Sequence, residues 1–238
     1  MKRKGSLKIV LIIIVLIIIF SFTLFTFLSM DFGGVIGNNT LGSVKKYTYG
    51  DNDSGNIKIA IVSGMHPREN LSERVLPLVS KQYSQPNLSI VNYNVIVTKD
   101  ENDFYNSRSN GESLVRDFVI PDILKNDFDL VIIGHDHEKG YGQDYYIATP
   151  NMDDKSVLLA QSVYNLFQSQ GISDFRHYQR NASKNVQSTS ILGVNKLIVD
   201  AGIPLFVYEV PEWYNDDKTY DMTVKLLDNS IISLNGNQ

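Results

Sequence analysis

Hydrophobic and polar positions divide this chain into three regimes. Residues 9–28 are almost wholly Ile, Leu, Val and Phe and carry no charge. About 20 such residues at 1.5 Å rise cross the roughly 30 Å of hydrocarbon in a bilayer, so the pattern predicts a transmembrane helix. Residues 31–56 lose the apolar pattern and are rich in Gly, Asn and Asp. They read as a flexible tether with one short edge strand at 46–49. Beyond residue 56, short β-branched runs alternate with helical patterns. Residues 57–62, 90–97, 130–133 and 205–210 read as buried strands, with 197–199 as a fifth. Residues 73–83, 114–124 (interrupted near Pro121) and 153–170 read as helices, the last with Val157, Leu158, Gln161, Val163, Leu166 and Phe167 in helical register. The alternation predicts one α/β domain over residues 57–238, with a mainly parallel or mixed central sheet flanked by helices. The segment 1–30 precedes it as a basic tip and a single transmembrane anchor.

Charge sharpens the membrane reading. Lys2, Arg3 and Lys4 precede the apolar run and Asp31 follows it, which predicts a cytoplasmic N-terminus and an extracytoplasmic domain at the cell membrane. A cleaved signal peptide is the competing reading, but Phe27-Leu28-Ser29-Met30 makes a poor cleavage site. The first 30 positions hold four of the 22 basic residues and none of the 26 acidic ones, so the remainder carries −8 against −4 for the whole chain. An acidic body lacks the basic face that nucleic-acid binding requires. The chain has no cysteine, which rules out a disulfide scaffold and a thiolate-ligated metal site.

Three predicted strand ends carry chemistry. After the first comes Ser63-Gly64-Met65-His66-Pro67-Arg68-Glu69. A His and a Glu three apart, on a turn leading into a helix, can aim an imidazole nitrogen and a carboxylate at one point, which is half of a His₂Glu zinc site. The third buried strand runs into Gly134-His135-Asp136-His137-Glu138, where a ligand would be held rigidly. The last holds Tyr208-Glu209 in an apolar run. A carboxylate there is costly to bury unless it is paired, protonated or facing a cavity, and such a Glu suits a general base that activates a water.

Gly64-Met65-His66-Pro67-Arg68-Glu69 resembles the G-x-H-x-R-E signature of the zinc metallocarboxypeptidases, a superfamily that also contains the succinylglutamate desuccinylase and aspartoacylase branch. Residues 129–135 and Tyr208-Glu209 are similar to that family's later ligand strand and base strand, in the same order. The resemblance implies Zn²⁺ held by His66, Glu69 and His135, Glu209 as general base, and Arg68 and Arg108 as substrate-binding residues. His137 is the alternative third ligand, or a residue supporting the site from outside the ligand set. Ile133 stands where the family commonly has Asp. The implied activity is a zinc-dependent hydrolase of amide or peptide bonds, acting on a peptide or, in the alternative, an N-acyl amino acid. A non-catalytic peptide- or cell-wall-binding module on the same fold is the third reading.

Overall fold

The computed structural model describes residues 13–21, 33–50, 56–179 and 189–236. The chain divides into two units, Met1–Phe32 and Gly33–Gln238. In the first, residues 13–21 form helix α1, whose apolar side chains are exposed. Among the described residues no helix is long and apolar enough to cross a membrane. The remaining positions of the 9–28 run lie outside the described residues.

The second unit is built on one eight-stranded mixed sheet. Its strands are β1 (Gly34–Asn39), β2 (Gly42–Gly50), β3 (Ile57–Ser63), β4 (Leu88–Val97), β5 (Leu130–His137), β6 (Tyr145–Ala148), β7 (Phe175–Tyr178) and β8 (Leu205–Pro211), in the order β1-β2-β4-β3-β5-β8-β6-β7. β4, β3, β5 and β8 run parallel, while β1, β2 and β6 each pair antiparallel with a neighbour. The chain leaves β3 for β4 on one side and later returns to β5 on the other. This reversal opens a crevice at the carboxyl end of β3, where α/β sheets place their ligands.

Strand periodicity divides the core in two. Leu130 and Ile132 of β5 and Phe206 and Tyr208 of β8 pack on one face under α2 (Asn70–Gln82), α5 (Asp154–Ser169) and α7 (Asp216–Gly236). Val131, Ile133 and Leu205 pack on the other, under α3 (Phe104–Leu114), a π-helical turn (Val115–Val119), α4 (Ile120–Ile123) and α6 (Lys196–Asp200). With alternate side chains on opposite faces, Gly134 and Asp136 point to the α2 side, and His135 and His137 to the α3 side.

Several expectations need correction. Residues 34–50, read as tether with one short edge strand, form β1 and β2. β2 pairs with β4 over nine residue positions. β1 is Gly- and Asn-rich and largely exposed, an outer strand that buries little beyond the side of Ile36 and is held mainly by its backbone bonds to β2. Residues 197–199 belong to α6, not to a strand; a three-residue apolar run has no periodicity by which to distinguish the two. The apolar pattern also predicts neither β6, where Tyr145 and Tyr146 are buried, nor β7, which carries Arg176 and His177; both strands have only four residues. Neither α3 nor α7 is among the predicted helices, although α7 buries Met222, Leu226, Leu227 and Ile231 in helical register. The inward stripe of α3 is Ser107, Gly111, Glu112 and Leu114, mostly polar because it faces the crevice rather than the core.

Candidate metal centre

The site begins with a glycine. Gly64 follows β3 with φ +74°, and a Cβ there would lie 2.4 Å from the Val95 carbonyl oxygen, so only glycine lets the chain turn here. Met65 then inserts into the core and His66 is buried behind it. The Glu69 amide donates to the His66 carbonyl at 3.0 Å, closing a turn that presents both side chains on one side. Glu69 is also the N-cap residue of α2, and its carboxylate makes no capping bond.

That carboxylate is instead the centre of a cluster. His66 Nδ1 lies 2.9 Å from Glu69 Oε1, and His135 Nδ1, delivered by β5, lies 2.6 Å from Oε2. The two imidazoles sit 4.6 Å apart, centroid to centroid. One donor atom from each of His66, Glu69 and His135 falls within 4.8 Å of the others. α3 closes the crevice: Arg108 Nη1 donates to Glu69 Oε1 at 2.9 Å, and Glu112 Oε1 stands 3.5 Å from His66 Nε2, which has no hydrogen-bond partner. Burial alone would push the Glu69 carboxyl up, but the charges of His135 and His66 and their hydrogen bonds outweigh it and hold Glu69 far below the usual carboxylate range. Burial likewise pulls His66 down, and Glu69 and Glu112 more than reverse it, raising the imidazole on balance. Glu112 is lowered, its own burial penalty being exceeded chiefly by the neighbouring His66 imidazole.

Two imidazole nitrogens and a carboxylate converging on one point, with a second carboxylate behind one imidazole, fit a metal ion held by three protein ligands with a position left open. The negative field of Glu69 and Glu112 that draws a proton onto His66 in the metal-free chain would equally draw a cation.

The remaining predicted residues divide. Glu209 pairs in register with His135, so its half-buried side chain stands beside that imidazole on the same face of the sheet. Arg108 joins the cluster. Arg68 does not: it is exposed, with its guanidinium 5.8 Å from the Phe104 ring. His137 turns to the next loop, its Nε2 2.9 Å from the Asp144 carbonyl and its Nδ1 3.3 Å from that of Glu138, and its ring packs against Tyr146 and Trp213. Of the two histidines of β5, only His135 reaches the cluster. Sequence reasoning missed Glu112; the available signal was its spacing of four from Arg108, which puts both on one side of a helix.

No family model and no curated protein matches the chain. Its structure does resemble solved ones. A metallo-carboxypeptidase from Burkholderia cenocepacia superposes with a TM-score of 0.58 at 12% identity, over 88% of this chain and 66% of that one. The tripeptide-bound cell shape determinant Csd4 of Helicobacter pylori gives 0.55 at 11% identity, over 81% of this chain and 56% of that one. The mDAP-bound form of Csd4, described as a D,L-carboxypeptidase, gives 0.53 at 10%, over 79% and 54%. The chain spans between about half and two thirds of the length of these structures. It has the fold of the metallo-carboxypeptidases.

Proposed function

We propose that this chain is a zinc-dependent hydrolase of amide or peptide bonds, carboxypeptidase-like in action. The observation that carries the reading is the convergence of His66, Glu69 and His135 at the carboxyl ends of β3 and β5, with Glu209 next to His135 on the same face. Zinc, when bound, supplies a Lewis acid that polarises water and the scissile carbonyl. Glu209 accepts the proton of the attacking water and returns it to the leaving nitrogen. The Arg108 guanidinium, already at a carboxylate oxygen, is suited to steady a second negative oxygen, that of the reacting carbonyl or of a terminal carboxylate. Arg68 would contact substrate further out, at the exposed rim beside Phe104. A peptide with a free carboxyl end is the substrate class this arrangement suits, and the tripeptide and mDAP complexes of Csd4 lend it support.

The apolar run at 9–28, with basic residues before it and Asp31 after it, supports a single-pass anchor with the hydrolase on the extracytoplasmic side. Metal analysis and turnover test the enzymatic reading together. The full-length chain is expected to hold one zinc, lost in His66→Ala, and to cleave short peptides in preference to their amidated forms and to N-acyl amino acids. Glu209→Gln should keep the zinc and lose activity by about 10²-fold or more. Absence of zinc from the wild type, or full zinc content in His66→Ala, would remove the claim.

A further inference from the structure

Asp136 lies between the two β5 histidines, and strand alternation turns its side chain away from both, to the α2 face of the sheet. There it makes the first-turn contacts of a helix that is not its own. The Leu71 amide donates to Asp136 Oδ2 at 2.7 Å and the Ser72 amide to Oδ1 at 2.8 Å. These are the unpaired N–H groups that a capping side chain normally satisfies. The residue at the capping position is Glu69, whose side chain makes no such bond and is instead committed to His66, His135 and Arg108. Gly134, two residues before Asp136 and on the same face, makes the approach possible: a Cβ there would lie 2.3 Å from Leu76 Cδ2 of α2.

We propose that Asp136 is a positioning residue for the metal centre. By capping α2 from the neighbouring strand, it frees the Glu69 carboxylate for the cluster and locks the turn carrying Glu69 against the strand that delivers His135. The stretch Gly134-His135-Asp136 thus has three tasks: admit the helix, present a ligand to one face, and hold the helix start from the other. Without Asp136, the amides of Leu71 and Ser72 compete for the Glu69 carboxylate, and the first turn of α2 loses its tie to β5.

The proposal rests on the metal-site reading above, and its test separates the two. Zinc dissociation constants of the full-length chain are measured by competition with a chromogenic chelator, alongside the melting temperature of the metal-free protein. The variants are Asp136→Ala, Asp136→Asn and, as a control, Asp153→Ala. Asp153 caps α5 through the Ser156 amide at 2.9 Å, next to Leu205 at the start of β8 and so at the opposite end of that strand from Glu209. Both alanine variants lose one cap, so both should melt lower. Zinc affinity should fall by about ten- to a hundred-fold in Asp136→Ala alone, the scale of losing a residue that orients a ligand. Asp136→Asn keeps one acceptor but no charge, so affinity recovered over the alanine variant measures capping rather than charge, and it supplies a folded variant if Asp136→Ala unfolds. Affinity within twofold of wild type in both Asp136 variants, or an equal loss in Asp153→Ala, overturns the proposal. A wild type that binds no zinc overturns the metal-site reading instead.

Discussion

Gly111 is the position where a single methyl group tests how the crevice is built. It lies in α3 between Arg108 and Glu112, and a Cβ there would stand 1.7 Å from the Met65 carbonyl oxygen and 2.8 Å from the Met65 carbonyl carbon. Ordinary contact begins near 3.4 Å, so in Gly111→Ala the helix and the segment leading into His66 must part by about 1.7 Å. Half of that, taken along the Arg108–Glu69 bond of 2.9 Å, already exceeds hydrogen-bonding range. The stability change is a net loss: alanine gains about 1 kcal/mol over glycine inside a helix, and overpacking against a backbone carbonyl costs about 1–3 kcal/mol. The functional change is not offset in this way. Loss of a hydrogen bond to a charged group is worth about 1.5–3 kcal/mol, or about ten- to 150-fold in kcat/KM. The assay is kcat/KM on a short peptide, paired with a thermal melt of the same sample. A Gly111→Ala protein that melts within a few degrees of wild type and keeps its kcat/KM within twofold would refute the claim that α3 must approach this closely.

Three further outcomes are expected. Glu112→Gln should weaken zinc by about ten- to a hundred-fold in a competition titration while the fold is kept, since the carboxylate behind His66 Nε2 is removed; unchanged affinity would make Glu112 a bystander. His137→Ala should lower the melting temperature, because it empties the space between Tyr146 and Trp213, yet leave zinc stoichiometry at wild-type level; zinc loss would return His137 to the ligand set. A pH dependence follows from the cluster's charges. His66 is raised above its ordinary 6.5, so its stabilising contribution is full below that value and is lost as pH rises through the folded one. Glu69 and Glu112 are held below their ordinary 4.5, so theirs are full above 4.5 and are lost as pH falls through the folded values. The cluster's contribution in the metal-free chain is therefore fullest between about pH 4.5 and 6.5, and saturating zinc, which needs deprotonated imidazoles, should move that maximum upward. Melts across the pH range with and without zinc check this; superimposable profiles would count against it.

The parallel centre of the sheet was legible because buried strands leave apolar runs: β3, β4 and β5 announce themselves as Val- and Ile-rich segments, and β8 as a run of Leu, Phe and Val. The residues that converge were legible from local spacing, His66 and Glu69 on one turn, and from position at strand ends, His135 and Glu209. Where a residue's role is set by a distant element, the chain offers no local sign. Asp136 reads as part of a polar loop until α2 is seen lying across Gly134. Glu112 has only its spacing of four from Arg108 to mark it, because a helix facing a polar crevice lacks the apolar stripe by which helices are recognised. The choice between His135 and His137 also needed three dimensions, since both share one face of β5 and only the depth of the crevice separates them.

The glycine- and asparagine-rich β1 does more than extend the sheet. An unpaired strand edge is a template for pairing with other chains, and β4 and β2 between them would offer long, regular ones. β1 caps that side with six residues, interrupted by a shift of register between Val35 and Gly37, largely exposed, and with Val35 its one exposed apolar side chain. The segment least like a strand in composition thus stands at the edge of the sheet: a chain cut after Gly50 would lose both outer strands and bare the β4 edge at all nine paired positions, a long regular template of the kind that pairs with other chains.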